Sequence, residues 1–312
     1  MTEQPTTTKV PLGTSDVRVS PLGIGTWAWG ARFFWGEYSI PDLQAAFDAS
    51  VAGGVALFDT AEMYGLGRSE TLTGTFLKTT DKETVIATKF FPFPWRLTKG
   101  SLHKALQNSL KRLDLPKVDL YQIHFPSPPM PIDVWISALG DVIDAGLAHL
   151  GGVSNYNVAQ TRRAHALLSN RGIHLTSNQV HYSLLHRDPE HNGLLDLCRE
   201  LDITLIAYSP LAQGVLTGKY TPNAPLPGVR GRRYNQDFLL RIQPLIGLMR
   251  EIGQAHEGKT PVQVAINWVI CKGALPIPGA RNIRQAQEIL GSLGWKLTQD
   301  EVFALEQAAE KS

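Results

Sequence analysis

Cysteine is scarce in this 312-residue chain, which has only Cys198 and Cys271. Two cysteines cannot form the disulfide framework of a small secreted domain, so we interpret them as buried free thiols in a reducing compartment. The first eight residues lack the apolar stretch of a signal peptide. No apolar run reaches the roughly 18 residues that a membrane-spanning helix needs. We therefore predict a cytoplasmic protein, and an organelle location would require that a targeting peptide has been removed.

An excess of charge of one sign is also absent. The chain has 30 basic and 28 acidic residues, a formal net charge of +2. This balance provides no broad footprint for nucleic acid or for an anionic membrane, so we predict neither as a partner and expect a small-molecule substrate. The oligomeric state stays open. The histidines show no metal-ligand spacing, and we predict no metal.

A third absence concerns the Gly-x-Gly-x-x-Gly sequence of an open dinucleotide-binding sheet. The nearest approach, Gly23-Ile24-Gly25, has Ala28 where the third glycine should stand. Strand-like and helix-like segments nevertheless alternate along the whole chain, which is 43% hydrophobic. We predict a flexible tail over residues 1–8 and a single α/β domain over 9–312, a (β/α)8 TIM barrel with an N-terminal β-hairpin and extra C-terminal helices. The predicted barrel strands are 22–25, 55–58, 84–88, 118–123, 150–153, 175–179, 204–208 and 275–277.

Three of these strands end in chemically active residues: Asp59, Lys89 and His124. Their separations of 30 and 35 residues (89 − 59 and 124 − 89) each fit one strand-plus-helix unit of roughly 30 residues. Tyr64 follows Asp59 in the loop. Each residue alone has an ordinary interpretation: a capping aspartate, a surface lysine, a structural histidine. Together at one barrel rim they favour a catalytic site.

Seven short motifs carry a family resemblance. They are Phe58-Asp59-Thr60-Ala61-Glu62-Met63-Tyr64-Gly65 with Ser69-Glu70, Ala87-Thr88-Lys89, Asp119-Leu120-Tyr121-Gln122-Ile123-His124, Gly152-Val153-Ser154-Asn155, Asn178-Gln179, Ala207-Tyr208-Ser209-Pro210-Leu211, and Ile277-Pro278-Gly279-Ala280-Arg281. With them the chain resembles the aldo-keto reductases from about residue 10 to 309. It is nearer the branch with the potassium-channel β-subunits and the plant and bacterial reductases than the sugar-reducing aldose reductases.

The resemblance implies an NADPH-dependent oxidoreductase that reduces an aldehyde or ketone to an alcohol. Tyr64 would donate the proton, and Lys89 would lower the pKa of its phenol. Asp59 would hold Lys89, and His124 would orient the carbonyl oxygen. None of these four catalytic residues can carry a hydride, so a nicotinamide must supply it.

The resemblance also implies a cofactor site across the barrel mouth. Tyr208 would stack on the nicotinamide. Arg281, just before a helix, would bind a 2′-phosphate, which favours NADPH (NADP+) over NADH. Ile289 stands where many relatives place an asparagine against the adenine. The full predicted set is Gly25, Thr26, Trp27, Asp59, Ser154, Asn155, Gln179, Tyr208, Ser209, Leu211, Lys219, Arg230, Gly279, Arg281, Gln285 and Glu288.

For the substrate, we predict a pocket lined by Trp29, Phe91 and Phe125, with core packing as the alternative for each. Glu62 is expected to face solvent.

Two other functions stay open. One is an NADPH-binding redox-sensing or regulatory subunit with slow turnover. The other is an aldolase that uses Lys89 as a Schiff base, which the neighbouring Asp59 disfavours because a nucleophilic amine must be partly neutral.

Overall fold

A closed ring of parallel strands organises the molecule. The computed structural model describes residues 8–126, 128 and 130–312, except for the side chains of Arg32, Phe33 and Val229. The predicted tail, apart from Thr8, lies outside the described residues. Eight strands pair in chain order and in parallel. The amide of Gly23 donates to Pro276 O at 2.9 Å and that of Gly25 to Pro278 O at 3.0 Å, so the first and last strands also meet. The TIM barrel prediction is confirmed.

The strands lie close to their predicted positions. A hairpin of β1 (Val10–Pro11) and β2 (Arg18–Val19) precedes the barrel, as expected. The barrel strands are β3 (Ile24–Gly25), β4 (Leu57–Asp59), β5 (Val85–Phe90), β6 (Val118–Ile123), β7 (Ala148–Ser154), β8 (Leu175–His181), β9 (Thr204–Tyr208) and β10 (Leu275–Ile277).

The helices follow the strands and cover the outside of the barrel. Among the described residues they are α1 (Trp27–Gly30), α2 (Arg32–Trp35), α3 (Ile40–Ala52), α4 (Arg68–Leu77), α5 (Lys99–Leu113), α6 (Ile132–Asp144), α7 (Val158–Ser169), α8 (Asp188–His191), α9 (Leu194–Glu200), α10 (Gly228–Arg233), α11 (Gln236–Arg241), α12 (Gln243–Ala255), α13 (Pro261–Cys271), α14 (Ile283–Leu290) and α15 (Gln299–Glu310). A 3₁₀ segment, Ala212–Thr217, follows β9. No helix in the described part of the chain is long and apolar enough to cross a bilayer.

The hairpin closes the amino-terminal end of the barrel. Leu12 and Val19 are fully buried in one cluster with barrel residues such as Leu57 and Leu120. The amide of Gly13 donates to Thr204 Oγ1, at the start of β9, at 2.7 Å. Ligand access is therefore through the opposite end, where the strands finish and where active sites of this fold lie.

Closure of the barrel requires a glycine at position 25, beside the open end. A Cβ on Gly25 would lie 2.8 Å from Ile277 O, closer than real Cβ contacts allow. Any larger residue would push β3 away from β10. Gly25 also borders the mouth, so the absent side chain brings bare backbone to the site.

Candidate active site

A cavity of about 1030 Å³ opens at the carboxyl end of the barrel. Its volume lies at the upper end of the range for small-molecule and cofactor sites. Three of the four predicted catalytic residues, Asp59, Tyr64 and His124, line it. Lys89 lies beneath them with no exposed surface.

Lys89 is the centre of the site's hydrogen bonds. Its Nζ donates to Asp59 Oδ2 at 2.5 Å, to Thr60 O at 2.8 Å and to Tyr64 OH at 3.1 Å. An ammonium has three donors, and all three are used. The buried cation is therefore held in one position and directed at the phenol.

Asp59 is equally constrained, at the end of β4. Its Oδ1 accepts from Gln179 Nε2 at 2.7 Å and from Gln122 Nε2 at 3.2 Å, while Oδ2 accepts from Lys89. The side chains of Asp59 and Lys89 are 2% and 0% exposed. A buried ion pair of this kind is stable only with additional hydrogen bonds, and the two amides that donate to Oδ1 provide them.

A tight turn after β4 brings Tyr64 over Lys89. Gly65 has a φ of 60°, and a Cβ there would lie within 3 Å of the Gly30 backbone. This close contact locks the turn against α1. The ring of Tyr64 lies 4.8 Å from Lys89 Nζ and 5.9 Å from the His124 ring.

The pKa of Tyr64 corrects one expectation. Burial raises this pKa above its usual value, the charge of Lys89 opposes the rise, and Asp59 adds to it. Lys89 thus acts in the predicted direction, but burial outweighs it. The phenol is protonated near neutral pH, the form that a proton donor requires.

Lys89 and His124 are shifted in opposite directions. Burial by itself would lower the pKa of Lys89, but Asp59 and then Tyr64 raise it, so the net change is upward and the lysine is charged. Burial, followed by the charge of Lys89, holds the pKa of His124 well below its usual range. The imidazole is neutral, with one N–H to donate.

A second group of polar side chains faces the cavity from β7, β8 and β9. Ser154 Oγ donates to Gln179 O at 2.8 Å, and Asn155 Nδ2 donates to Ser154 Oγ and to His124 O, both at 3.0 Å. Tyr208 OH donates to Asn155 Oδ1 at 3.0 Å. Asn155 therefore links Tyr208 to the strand end that carries His124.

Basic residues border the far side of the cavity. Arg281 precedes α14, and Asn282 caps that helix through a bond from the Gln285 amide at 3.0 Å. The Arg281 guanidinium donates to Trp35 O at 2.5 Å. Arg230 lies 4.9 Å from the Trp35 ring centroid. Trp35 therefore contacts both arginines at the cavity wall.

Most of the predicted cofactor residues meet at this cavity. The residues of that set that line it are Gly25, Trp27, Asp59, Ser154, Asn155, Gln179, Tyr208, Ser209, Leu211, Lys219, Arg230, Gly279, Arg281, Gln285 and Glu288. Thr26 is the exception. It is fully buried and bonds to Asp59 O at 2.9 Å and to Ser69 Oγ at 2.7 Å. Its hydroxyl supports the end of β4, and its side chain does not reach the cavity, so Thr26 as a cofactor contact stays a prediction.

The predicted substrate residues fall in three different places. Phe125 lines the cavity. Phe91 is not part of the lining, but its ring lies 5.6 Å from His124 and 5.8 Å from Phe125. Trp29 is 0% exposed, and its indole donates to Ala280 O at 2.8 Å. The prediction of Trp29 as a pocket residue is wrong, because its ring fills the core.

Glu62 also differs from expectation. It does not face solvent freely: its side chain is 9% exposed. Arg96 binds both carboxylate oxygens, at 2.5 and 2.9 Å, and the Phe91 amide donates to Oε1 at 2.7 Å. A bidentate pair of this kind fixes the loop after β5 beside the mouth.

Several lining residues were not found from the sequence. The 3₁₀ segment provides Gln213, Gly214 and Thr217, and the loop after it provides Tyr220. The start of α13 provides Thr260, Val262 and Gln263, and α14 provides Arg284 and Gln287. A capping box, Thr260 with Gln263, marks the start of α13, and this motif could have located that helix start in the sequence.

Within the described residues, no cluster of three or more histidine, cysteine or acidic side chains could hold a metal ion. That no metal is used stays a prediction.

Comparison with known proteins decides the family. The sequence model described as "Aldo/keto reductase family" matches residues 21–310. The chain belongs to the aldo/keto reductase family. It is an enzyme of that family and an oxidoreductase by membership.

Relatives within the family match along almost their full length. The chloroplastic pyridoxal reductase of Arabidopsis thaliana is 42% identical over 320 residues, which cover 97% of this chain and 86% of the relative. An aldo/keto reductase from Klebsiella pneumoniae in complex with NADP and acetate has a TM-score of 0.77 at 28% identity, covering 97% of this chain and 96% of that one. A second Klebsiella pneumoniae structure, in complex with NADPH, has a TM-score of 0.76 at 27% identity, covering 98% and 96%.

Proposed function

We propose that this aldo/keto reductase reduces an aldehyde or ketone to an alcohol with NADPH, and that Tyr64 is the general acid. The single observation that carries the proposal is the buried ammonium of Lys89, bonded to Asp59 Oδ2 at 2.5 Å and to Tyr64 OH at 3.1 Å. A phenol beside a fixed cation can release its proton as negative charge develops on a substrate oxygen. The resulting phenolate is stabilised by that same charge.

His124 has a complementary role in the proposal. Its pKa is held well below the usual range by burial, so it is a neutral hydrogen-bond donor near pH 7. Its ring lies 5.9 Å from that of Tyr64, close enough for both side chains to reach one oxygen atom. A neutral donor orients the carbonyl without competing with Tyr64 to protonate it.

The cavity suits an anionic dinucleotide. Four cationic side chains line it, Lys219, Arg230, Arg281 and Arg284, against the carboxylates of Glu288 and the already paired Asp59. When bound, the nicotinamide would supply the hydride that the side chains cannot. Arg281 beside the start of α14 is the proposed contact for a 2′-phosphate, so NADPH is preferred over NADH. Solved relatives with NADP and NADPH support the choice.

A planar aromatic aldehyde of the pyridoxal type is the proposed substrate. Trp27, Tyr64 and Phe125 line the cavity, and the Phe125 ring stacks on His124 with centroids 4.9 Å apart. Flat aromatic walls favour a flat ring beside the proton donor. The 42% identical pyridoxal reductase supports the same substrate class. That relative is chloroplastic, and the cytoplasmic location of this chain stays a prediction.

A carbonyl panel tests the proposal. Purified protein is mixed with NADPH and, in turn, pyridoxal, benzaldehyde, an aliphatic aldehyde and an aldose, and loss of NADPH absorbance is followed. We expect turnover with NADPH, fastest with the aromatic aldehydes, and weak turnover with NADH. Tight NADPH binding with very slow oxidation by every carbonyl would contradict the proposal and favour the redox-sensing alternative. A substrate adduct on Lys89 trapped by borohydride would favour the aldolase.

A further inference from the structure

A second cavity of about 210 Å³ lies beside Tyr208. This is about seven times the roughly 30 Å³ that a water molecule occupies in the liquid. Its polar lining comes from the end of β8 and the loop after it, and from the region of α10 and α11. We call it the histidine cavity, and the residues that define it are His181, Ser183, His186, Arg233, Tyr234 and Phe238.

Stacked rings connect the histidine cavity to the candidate active site. The His181 ring is nearly parallel to that of Tyr208, 8° between planes and 5.4 Å between centroids. His186 stacks on His181 at 4.0 Å. Tyr208 lines the large cavity, so the stack spans the wall between the two.

Two buried polar atoms at the histidine cavity have no partner among the described residues. Ser183 is 0% exposed, and its Oγ accepts and donates no hydrogen bond among the described residues. His181 Nε2 is likewise buried and unbonded within that part of the chain. Because buried polar groups in folded proteins are almost always paired, these two atoms are available to a ligand or an ordered water in the cavity.

The charge of the lining residues indicates which kind of ligand the histidine cavity binds. Arg233 lines it, and the described residues provide no ion-pair partner for this guanidinium; it lies 5.5 Å from the Tyr234 ring. No carboxylate is among the described lining residues. The carboxylate of Asp188, 71% exposed, lies 3.5 Å from His186 Nε2. Burial, then His186 and Arg233, lower the pKa of His181 to about 4 against the opposing charge of Asp188. Arg233 is thus a cation in a lining without a described carboxylate, which favours an anion.

We propose that the histidine cavity binds a small oxyanion, a carboxylate or a phosphate group, with Ser183 Oγ, His181 Nε2 and Arg233 as its hydrogen-bond donors. A guanidinium with a hydroxyl and an imidazole N–H matches the several acceptor oxygens of such a group. α10 carries Arg230 toward the large cavity and Arg233 toward the histidine cavity, so the two sites share one helical turn as a wall.

Histidine NMR tests the proposal without relying on catalysis. Sodium acetate and inorganic phosphate are titrated separately into ¹⁵N-histidine-labelled protein at constant ionic strength, with chloride as the balancing anion. The His181 ring signals are assigned by their loss in His181→Asn. We expect a saturable change of these signals at millimolar concentrations of acetate, phosphate or both. A response to acetate alone assigns the ligand to the carboxylates, and one to phosphate assigns it to the phosphates.

Three variants locate the binding. Arg233→Gln and Ser183→Ala, which removes only one oxygen atom, should each weaken the binding of the anion by about tenfold. This is the typical effect of losing a hydrogen bond to a charged group. Arg232→Gln is the matched control, because Arg232 is an exposed arginine of α10 like Arg233 but lines neither cavity. It should bind as the unaltered protein does. A linear, non-saturating response, or equal weakening in Arg233→Gln and Arg232→Gln, would overturn the proposal.

Discussion

Replacing Tyr64 by phenylalanine separates the chemistry of the site from its structure. The variant removes one oxygen and leaves the ring, which lies 4.8 Å from Lys89 Nζ. Lys89 loses its 3.1 Å bond to the phenol but keeps Asp59 at 2.5 Å and Thr60 O at 2.8 Å. The cation therefore stays paired, and the barrel end should not rearrange.

The expected effects on stability and on turnover are separate. Loss of one hydrogen bond to a charged group lowers the free energy of unfolding by about 1.5–3 kcal/mol. Loss of a general acid slows turnover by roughly 10²–10⁴-fold, which corresponds to about 2.7–5.4 kcal/mol in the barrier at 1.36 kcal/mol per decade. Binding of NADPH should be unchanged, since the removed hydroxyl is held by Lys89.

Three measurements check this reasoning: steady-state NADPH oxidation with the best carbonyl of the panel, NADPH affinity by fluorescence titration, and urea unfolding. Tyr156→Phe is the matched control, because Tyr156 is 1% exposed, lies outside the cavity lining and has no described partner for its hydroxyl. It should retain full turnover. A Tyr64→Phe variant that keeps more than about a tenth of native turnover, against the expected 10²-fold loss or more, would refute the assigned role.

The pH profile provides a second check on the same residue. The proton donor must be protonated, so activity is lost as pH rises through the pKa of Tyr64, which burial raises above its usual value of about 10. His124 must be neutral, and its pKa lies well below its usual value of about 6.5. The rate of the chemical step should therefore be flat between these two usual values. A step centred near pH 6.5 would show that His124 titrates and would contradict the burial argument.

The other predictions concern stability and specificity. Asp59→Asn and Lys89→Met should each lower the free energy of unfolding by about 3–5 kcal/mol because each leaves a buried partner unpaired, and urea unfolding of the double variant should show much less than the sum. Arg281→Ala should weaken NADPH binding by about 10–100-fold in a fluorescence titration while NADH binding changes little; equal losses for both would contradict the 2′-phosphate contact. Trp29→Ala should cost about 3–5 kcal/mol of stability as a core deletion. Phe125→Ala should instead raise KM for aromatic aldehydes with a smaller loss of stability, and the reverse pattern would show that the core and pocket assignments are exchanged.

Local patterns were sufficient to predict the barrel and to place the four candidate catalytic residues at its rim. Strand-ending residues can be located in a sequence because apolar runs have recognisable limits, and the carboxyl ends of parallel strands meet at one rim. Asp59, Lys89 and His124 follow this rule, and the structure brings them together with Tyr64. Arg281 could be placed at a helix start because the capping residue Asn282 comes next in the chain.

Other residues depended on contacts that no local pattern contains. Trp29 and Trp27 are two positions apart in one short helix, yet one fills the core and the other lines the cavity. Which of them faces the cavity depends on how α1 packs against α4. The burial of Glu62 could not be predicted, because its partner Arg96 lies 34 residues further along the chain and no local pattern connects the two.

The sequence by itself determined the strand order, the four residues at the rim and the family, because these depend on periodicity and on residue types at strand ends. The tertiary structure alone decided the protonation of the site and its boundaries. Burial sets the pKa of Tyr64 and of His124, and burial is a property of the packed barrel. The histidine cavity likewise exists only because β8 and α10, some fifty residues apart, enclose one space beside Tyr208.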